Sequence, residues 1–146
     1  LSAFIPLIIS SGGNSGSQAA TLIIQALALG EIKIADWWHI AKREIISGIL
    51  MGVTLGIMGF FIVFGGYHLF DLFGAHYIRI GFAIGIAIIG VVLWGTMMGS
   101  MLPLLLKKLG ADPATSSTPF IATLVDVTGL LIYFSVAYLF LKGVLL

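Results

Sequence analysis

One carboxylate in this chain stands apart from the others. Of the six acidic residues, Glu31, Asp36, Glu44, Asp71 and Asp112 lie in or beside polar connecting stretches, where a solvated charge needs no special role. Asp126 lies inside the apolar run from Pro119 to Tyr133. Ser116, Ser117 or Thr118 can cap a helix here, and Pro119 suits its first turn. Asp126 then sits ~10 Å along that helix. A charge at such depth in hydrocarbon costs at least ~2.5–3.5 kcal/mol. No Lys or Arg stands at matching depth in any apolar run, so no ion pair within the chain offsets it. Three states remain open: a protonated, hydrogen-bonded acid, a carboxylate in a water-filled cavity, or a carboxylate holding a cation. Ala122, Gly129 and Tyr133 share its helix face at three- and four-residue spacing, and small neighbours leave room for water. Thr123 and Thr128 offer further oxygens. One carboxylate is a poor cage for a bare cation, but a hydrated ion needs few direct ligands. A symmetric dimer would bring a second Asp126 and the space for a water shell.

A second polar group interrupts another apolar run. Ser10-Ser11-Gly12-Gly13-Asn14-Ser15-Gly16-Ser17-Gln18 sits in the middle of the stretch from Ala3 to Leu29. Unpaired polar groups in hydrocarbon cost several kcal/mol each, so these must face protein or water. Ser10, Asn14, Ser17, Thr21 and Gln25 fall on one helical face, with Gln18 alongside. That face either hydrogen-bonds neighbouring helices or lines an aqueous path. Gly12, Gly13 and Gly16 could also mark a kink or an unwound turn whose carbonyls face a cavity.

Other chemistries find no residues. The chain has no cysteine, which excludes thiolate metal sites and cysteine nucleophiles. His39, His68 and His76 stand at the edges of apolar runs without metal-ligand spacing and read as interfacial residues. The Gly-rich cluster lacks the strand and lysine of a phosphate loop. A net charge of +1 gives no basic surface for nucleic acid. No enzyme is expected.

The elements that must carry these groups are transmembrane helices. Hydrophobic residues make up 60% of the chain and charged residues 9%, with a mean hydropathy of +1.16. A soluble domain carries about 25% charged residues, so most of this surface must meet lipid. The pattern predicts an all-α membrane protein, one domain over residues 1–146, with four spans at about 3–29, 45–64, 78–106 and 119–141. Gly48, Gly52 and Gly56, then Gly81 and Gly85, and Gly95 and Gly99 repeat at four-residue spacing, which lets helix backbones approach closely. Trp37, Trp38, Tyr67 and Tyr77 mark span ends. Lys33, Lys42, Arg43, Lys107 and Lys108 put loops 30–44 and 107–118 on one side, which the positive-inside rule makes cytoplasmic. The first span then starts outside, and a start within an apolar run suggests a piece of a longer protein.

Three segments resemble the MgtE family of magnesium channels. Ser11-Gly12-Gly13-Asn14-Ser15-Gly16-Ser17-Gln18-Ala19, followed by Ala26-Leu27-Ala28-Leu29-Gly30-Glu31, resembles the family's second transmembrane helix. Leu102 to Ala114 resembles the loop between its helices four and five. Pro119 to Tyr133, with Ala122-Thr123-Leu124-Val125-Asp126-Val127-Thr128-Gly129, resembles its fifth helix. The resemblance covers essentially the whole chain and implies helices two to five of a five-helix pore domain, in the plasma membrane. It implies a homodimer whose central pore is lined by the helices of Asn14 and of Asp126. Asp126 of each subunit and the backbone carbonyl of Ala122 would hold a hydrated Mg2+, with Mn2+ or another divalent cation as alternatives. Asn14, Ser17, Gln18, Thr21, Thr118, Thr123 and Gly129 complete the expected pore lining. The family often has Asn at the positions of Ser17 and Thr118; both changes shorten the side chain near the pore and bear on selectivity. The family's first helix and N-terminal cytoplasmic regulatory domains, with a paired CBS module, are expected to lie outside this sequence. The implied function is Mg2+ uptake through a channel. The alternatives are a proton- or sodium-coupled carrier with Asp126 as relay, and a non-conducting assembly subunit.

Overall fold

The computed structural model describes residues 1–115 and 118–143. Four long helices account for nearly all of them: α1 (Ile5–Ala28), α2 (Trp37–Phe70), α3 (Tyr77–Lys108) and α4 (Thr118–Leu141). Pro6 occupies the first turn of α1, where its missing N–H costs nothing. Gly30, at φ 71°, and Gly110, at φ 81°, follow α1 and α3, and this left-handed conformation ends a helix most easily at glycine. Thr118 opens α4 as its first helical residue rather than as a cap. The other two candidate caps, Ser116 and Ser117, lie outside the described residues.

The helix count matches the four expected spans, and the limits differ in an informative way. The second span was expected at 45–64, whereas α2 runs from Trp37 to Phe70. Lys42, Arg43 and Glu44 stop an apolar run but not a helix, so hydropathy finds the lipid-facing part and misses the turns that continue into water. The expected loop 30–44 is accordingly helical from Trp37 onward. Among the described residues, three segments are long and apolar enough to cross a membrane: Ile34–Phe70, Gly74–Lys108 and Thr118–Leu141. At 24 residues, α1 is long enough, at about 36 Å, but the run from Ser10 to Gln18 keeps it below that apolarity. It is helical without a break through Gly12, Gly13 and Gly16, so the unwound turn that those glycines allowed is absent.

The third helix is the hub. It packs against each of the others, α1 and α4 also pack on each other, and α2 rests chiefly on α3. Ile84, Ala87, Ile88, Val91 and Val92 of α3 are buried with Ile8, Val63 and Tyr133 from the other three helices. The glycine repeats mark the closest approaches, as expected. A methyl on Gly56 would lie 2.7 Å from the Gly85 carbonyl oxygen, and one on Gly85 would lie 3.0 Å from that of Gly56. On the other side of α3, Gly95 faces the Gly12 carbonyl and Gly99 that of Gly16. The outer face of α2 exposes Leu50, Ile57, Met58, Phe61 and Ile62, as a lipid-facing helix should.

Candidate functional site: a carboxylate at the seam of α1 and α4

The site begins with two glycines. Because Gly95 and Gly99 let α1 lie backbone to backbone on α3, the helix sinks far enough for its next face to meet α4. Val125 of α4 fills the notch between Gly12 and Gly16: a methyl on either would lie 3.2 Å from its side chain. Asp126 follows and lands on Gly13, where a methyl would lie 2.5 Å from Oδ1. Eight residues further along α1, the Thr21 hydroxyl lies 3.5 Å from that of Thr118, eight residues back along α4. The two helices therefore run antiparallel along one seam.

Thr118, Ala122 and Asp126 recur every fourth residue of α4 and are each half-buried. They form one line along the seam, beside the fully buried stripe of Ile121, Val125, Gly129, Tyr133, Ala137 and Leu141. Asp126 lies eight residues from the start of α4, about 12 Å in. Its Oδ1 is buried and has no hydrogen-bond partner. An unpaired buried carboxyl oxygen is costly, and what satisfies it must come from outside the chain's own donors: a proton, water or a cation. Among the described residues, no three His, Cys, Asp or Glu side chains come together as a metal cage.

The polar face of α1 borders this line. Ser10, Asn14, Gln18, Thr21 and Gln25 are exposed and Ser17 is half-buried. Asn14 Nδ2 donates to Ser10 Oγ at 3.2 Å, and the Thr21 hydroxyl donates to the Ser17 carbonyl at 2.9 Å. Among the described residues, the Thr21–Thr118 contact is the one side-chain hydrogen bond from this face to another helix. So the face is not consumed by packing within the chain; it is presented outward. Ser17, Gln18, Thr21 and Leu22 line an open depression of about 450 Å³ there.

Two residues expected to share the helix face of Asp126, one of them also expected to line the pore, are packed inside the chain. Gly129 is buried against Val91 of α3, where a methyl would lie 3.0 Å from Val91 Cγ1; three residues beyond Asp126, it falls on the packed side of α4. Tyr133 is also fully buried, with its hydroxyl donating to the Leu1 carbonyl at 2.8 Å. Thr123 is exposed beyond the seam, its hydroxyl donating to the Pro119 carbonyl at 3.0 Å. Sequence reasoning missed Gly13 as the seat of the carboxyl, having read it only as a flexible point. The signal needed was the antiparallel register of two helices a hundred residues apart. It also missed Trp94, whose indole N–H donates to Thr128 Oγ1 at 2.7 Å. A lone Trp within an apolar span carries no pattern of its own.

Comparison with known proteins gives one consistent result. The family described as "MgtE: Divalent cation transporter" matches residues 5–136. The protein named magnesium transporter MgtE in Thermus thermophilus is 40% identical over 99% of this chain and 30% of its own length. Proteins of the same name in Enterococcus faecalis and Bacillus subtilis are 34% and 30% identical over 97% and 98% of the chain. The chain spans about 30% of the length of these curated relatives.

Proposed function

The chain belongs to the MgtE family of divalent cation transporters, and from that premise we propose that two copies of it form a membrane path for hydrated Mg2+, with Asp126 of each at the narrowest polar point. The observation that carries the reading is the pairing of an unpartnered carboxyl oxygen with an outward polar face on α1, in a chain with no Lys or Arg at that depth. A face bearing Asn14, Gln18 and Thr21 cannot meet lipid without cost. A second copy related by a two-fold axis turns it toward its own mate and encloses water between them.

Magnesium suits such a site. The ion dehydrates reluctantly and usually keeps several waters, so it is held through its water shell by a few well-placed acceptors. Two Asp126 carboxylates offset the ion's charge, and the Ala122 carbonyls, one turn away on the same line, accept hydrogen bonds from the shell. Thr118 and Thr21 extend the polar track toward the end of the seam that holds Lys107 and Lys108. Placing that end in the cytoplasm gives the direction of flow. With the inside negative, a divalent cation gains about 4.6 kcal/mol per 100 mV on entering, so no coupled ion is needed.

The test is Mg2+ uptake by proteoliposomes carrying the full protein, comparing wild type with Asp126→Ala and Asp126→Asn. Loss of uptake in both, with the dimer intact by size-exclusion chromatography, is the expected result. Uptake that persists in Asp126→Ala sinks the reading. Uptake that drives stoichiometric proton or sodium movement points to the coupled carrier instead.

A further inference from the structure

We propose that Trp94 is a positioning residue for Asp126: its hydrogen bond to Thr128 fixes the rotation of α4 and so the direction of the carboxyl. The inference rests on the permeation reading above and adds a residue from a helix that does not touch the path.

The buried stripe of α4 consists of Ile121, Val125, Gly129, Tyr133, Ala137 and Leu141, one residue every fourth position, with one polar anchor two turns beyond Asp126, where the Tyr133 hydroxyl donates to the Leu1 carbonyl. The opposite side carries Val127, Leu131, Phe134 and Leu139, all exposed. In a bilayer the lipid tails are as apolar as leucine, so burying one of these faces rather than the other gains little. The rotation of such a helix is set by polar contacts. Between α3 and α4, one side-chain hydrogen bond joins the described residues: Trp94 Nε1 to Thr128 Oγ1.

Its geometry couples it to the carboxyl. Thr128 lies two residues beyond Asp126, roughly 200° around the helix and ~3 Å along it. Asp126 rests on α1 at Gly13 while Thr128 is tied to α3. The helix is gripped on two sides within one turn, and no rotation can move one contact without disturbing the other. The Thr128 hydroxyl is engaged on both sides: it accepts from the indole and donates to the Leu124 carbonyl at 2.7 Å. An indole N–H can only donate, and Thr128 is the acceptor it has.

The experiment uses the full protein in proteoliposomes with Trp94→Phe, Thr128→Val, the double variant, Thr128→Ser and Asp126→Asn. Mg2+ uptake is measured against Mg2+ concentration, with the thermal midpoint of each variant in detergent. Trp94→Phe and Thr128→Val are each expected to raise the half-saturating Mg2+ concentration by about three- to tenfold, the range that an interhelical hydrogen bond commonly contributes in a bilayer. The double variant should be no worse than either single one, Thr128→Ser should behave as wild type, and thermal midpoints should stay together. Additive losses, losses that follow the thermal midpoint, or unchanged half-saturation in Trp94→Phe overturn the proposal. If Asp126→Asn conducts normally, the permeation reading has failed and the positioning role falls with it, which that single variant identifies.

Discussion

The seam between α2 and α3 and the seam between α1 and α4 use the same device for different ends. At the first, Gly56 and Gly85 bring two backbones together, each facing the other's carbonyl, and the side chains around them are Ile89, Phe60 and other apolar groups. At the second, Gly13 brings a backbone close to a carboxyl. Small residues exist at membrane helix contacts to let backbones approach. What differs is whether the space is filled by rigid main chain or by the movable end of a side chain. The first seam is a joint. The second is a cradle, and its shape determines where a carboxyl sits.

The comparison is tested most severely at the joint. Gly56→Val places two methyl groups against the Gly85 carbonyl, which belongs to a buried helix and cannot retreat. Overpacking of this kind costs about 1–3 kcal/mol or more. The expected result is a marked fall in thermal midpoint in detergent, with whatever protein still folds retaining its Mg2+ selectivity. At the cradle the ordering reverses. Gly13→Ala meets Asp126 Oδ1, which moves by rotating a side chain, so the stability change should stay under about 1 kcal/mol. The carboxyl, however, is displaced from the seam. Uptake is expected to fall about tenfold, equivalent to ~1.4 kcal/mol, at an almost unchanged thermal midpoint. If Gly13→Ala unfolds the protein and Gly56→Val spares it, the distinction between joint and cradle is wrong.

These two seams also separate what could be read from the sequence from what could not. The joint was legible: Gly48, Gly52 and Gly56 at four-residue spacing announce a helix contact whatever the partner. That Asp126 stands apart was legible too, because a lone acid in an apolar run conflicts with its surroundings without any structure. Its seat was not. Gly13 reads as a flexible point in a Ser- and Gly-rich stretch, and only the packing of α1 on Gly95 and Gly99 turns it toward Asp126. Gly129 misled in the opposite sense. Counting three residues from Asp126 puts it nearby on a helical wheel, yet α4 is rolled so that Gly129 meets Val91. The start of α2 was missed because charge ends an apolar run before it ends a helix, and its last turns because Gly65, Gly66, Tyr67 and His68 lower the hydropathy without breaking the helix.

A smaller effect is expected at the outward face of α1. Asn14 is exposed, and among the described residues its side chain bonds only Ser10, one turn away on its own helix. Replacing it with leucine removes a polar group without breaking a contact to another helix. On the proposed path this costs the permeating water shell one partner, and uptake should fall about threefold, the scale of a single hydrogen bond in a membrane. A gain in detergent stability with unchanged uptake would instead assign that face to an interface between copies away from the path.

The smallest effect isolates the glycine itself. Gly65 lies inside α2, and a methyl built there meets nothing within 4 Å. It therefore belongs to neither seam, and its helical conformation is open to any residue. A glycine within a helix costs about 0.5–1 kcal/mol relative to alanine through its backbone freedom in the unfolded chain. Gly65→Ala is thus expected to raise the thermal midpoint slightly and to leave Mg2+ uptake as it was. Gly56 sits two and a half turns earlier on the same helix, so the pair differs in surroundings and in little else. If Gly65→Ala were as damaging as Gly56→Val, helix propensity and close approach would have changed places, and the cost at Gly56 could no longer be assigned to the Gly85 carbonyl.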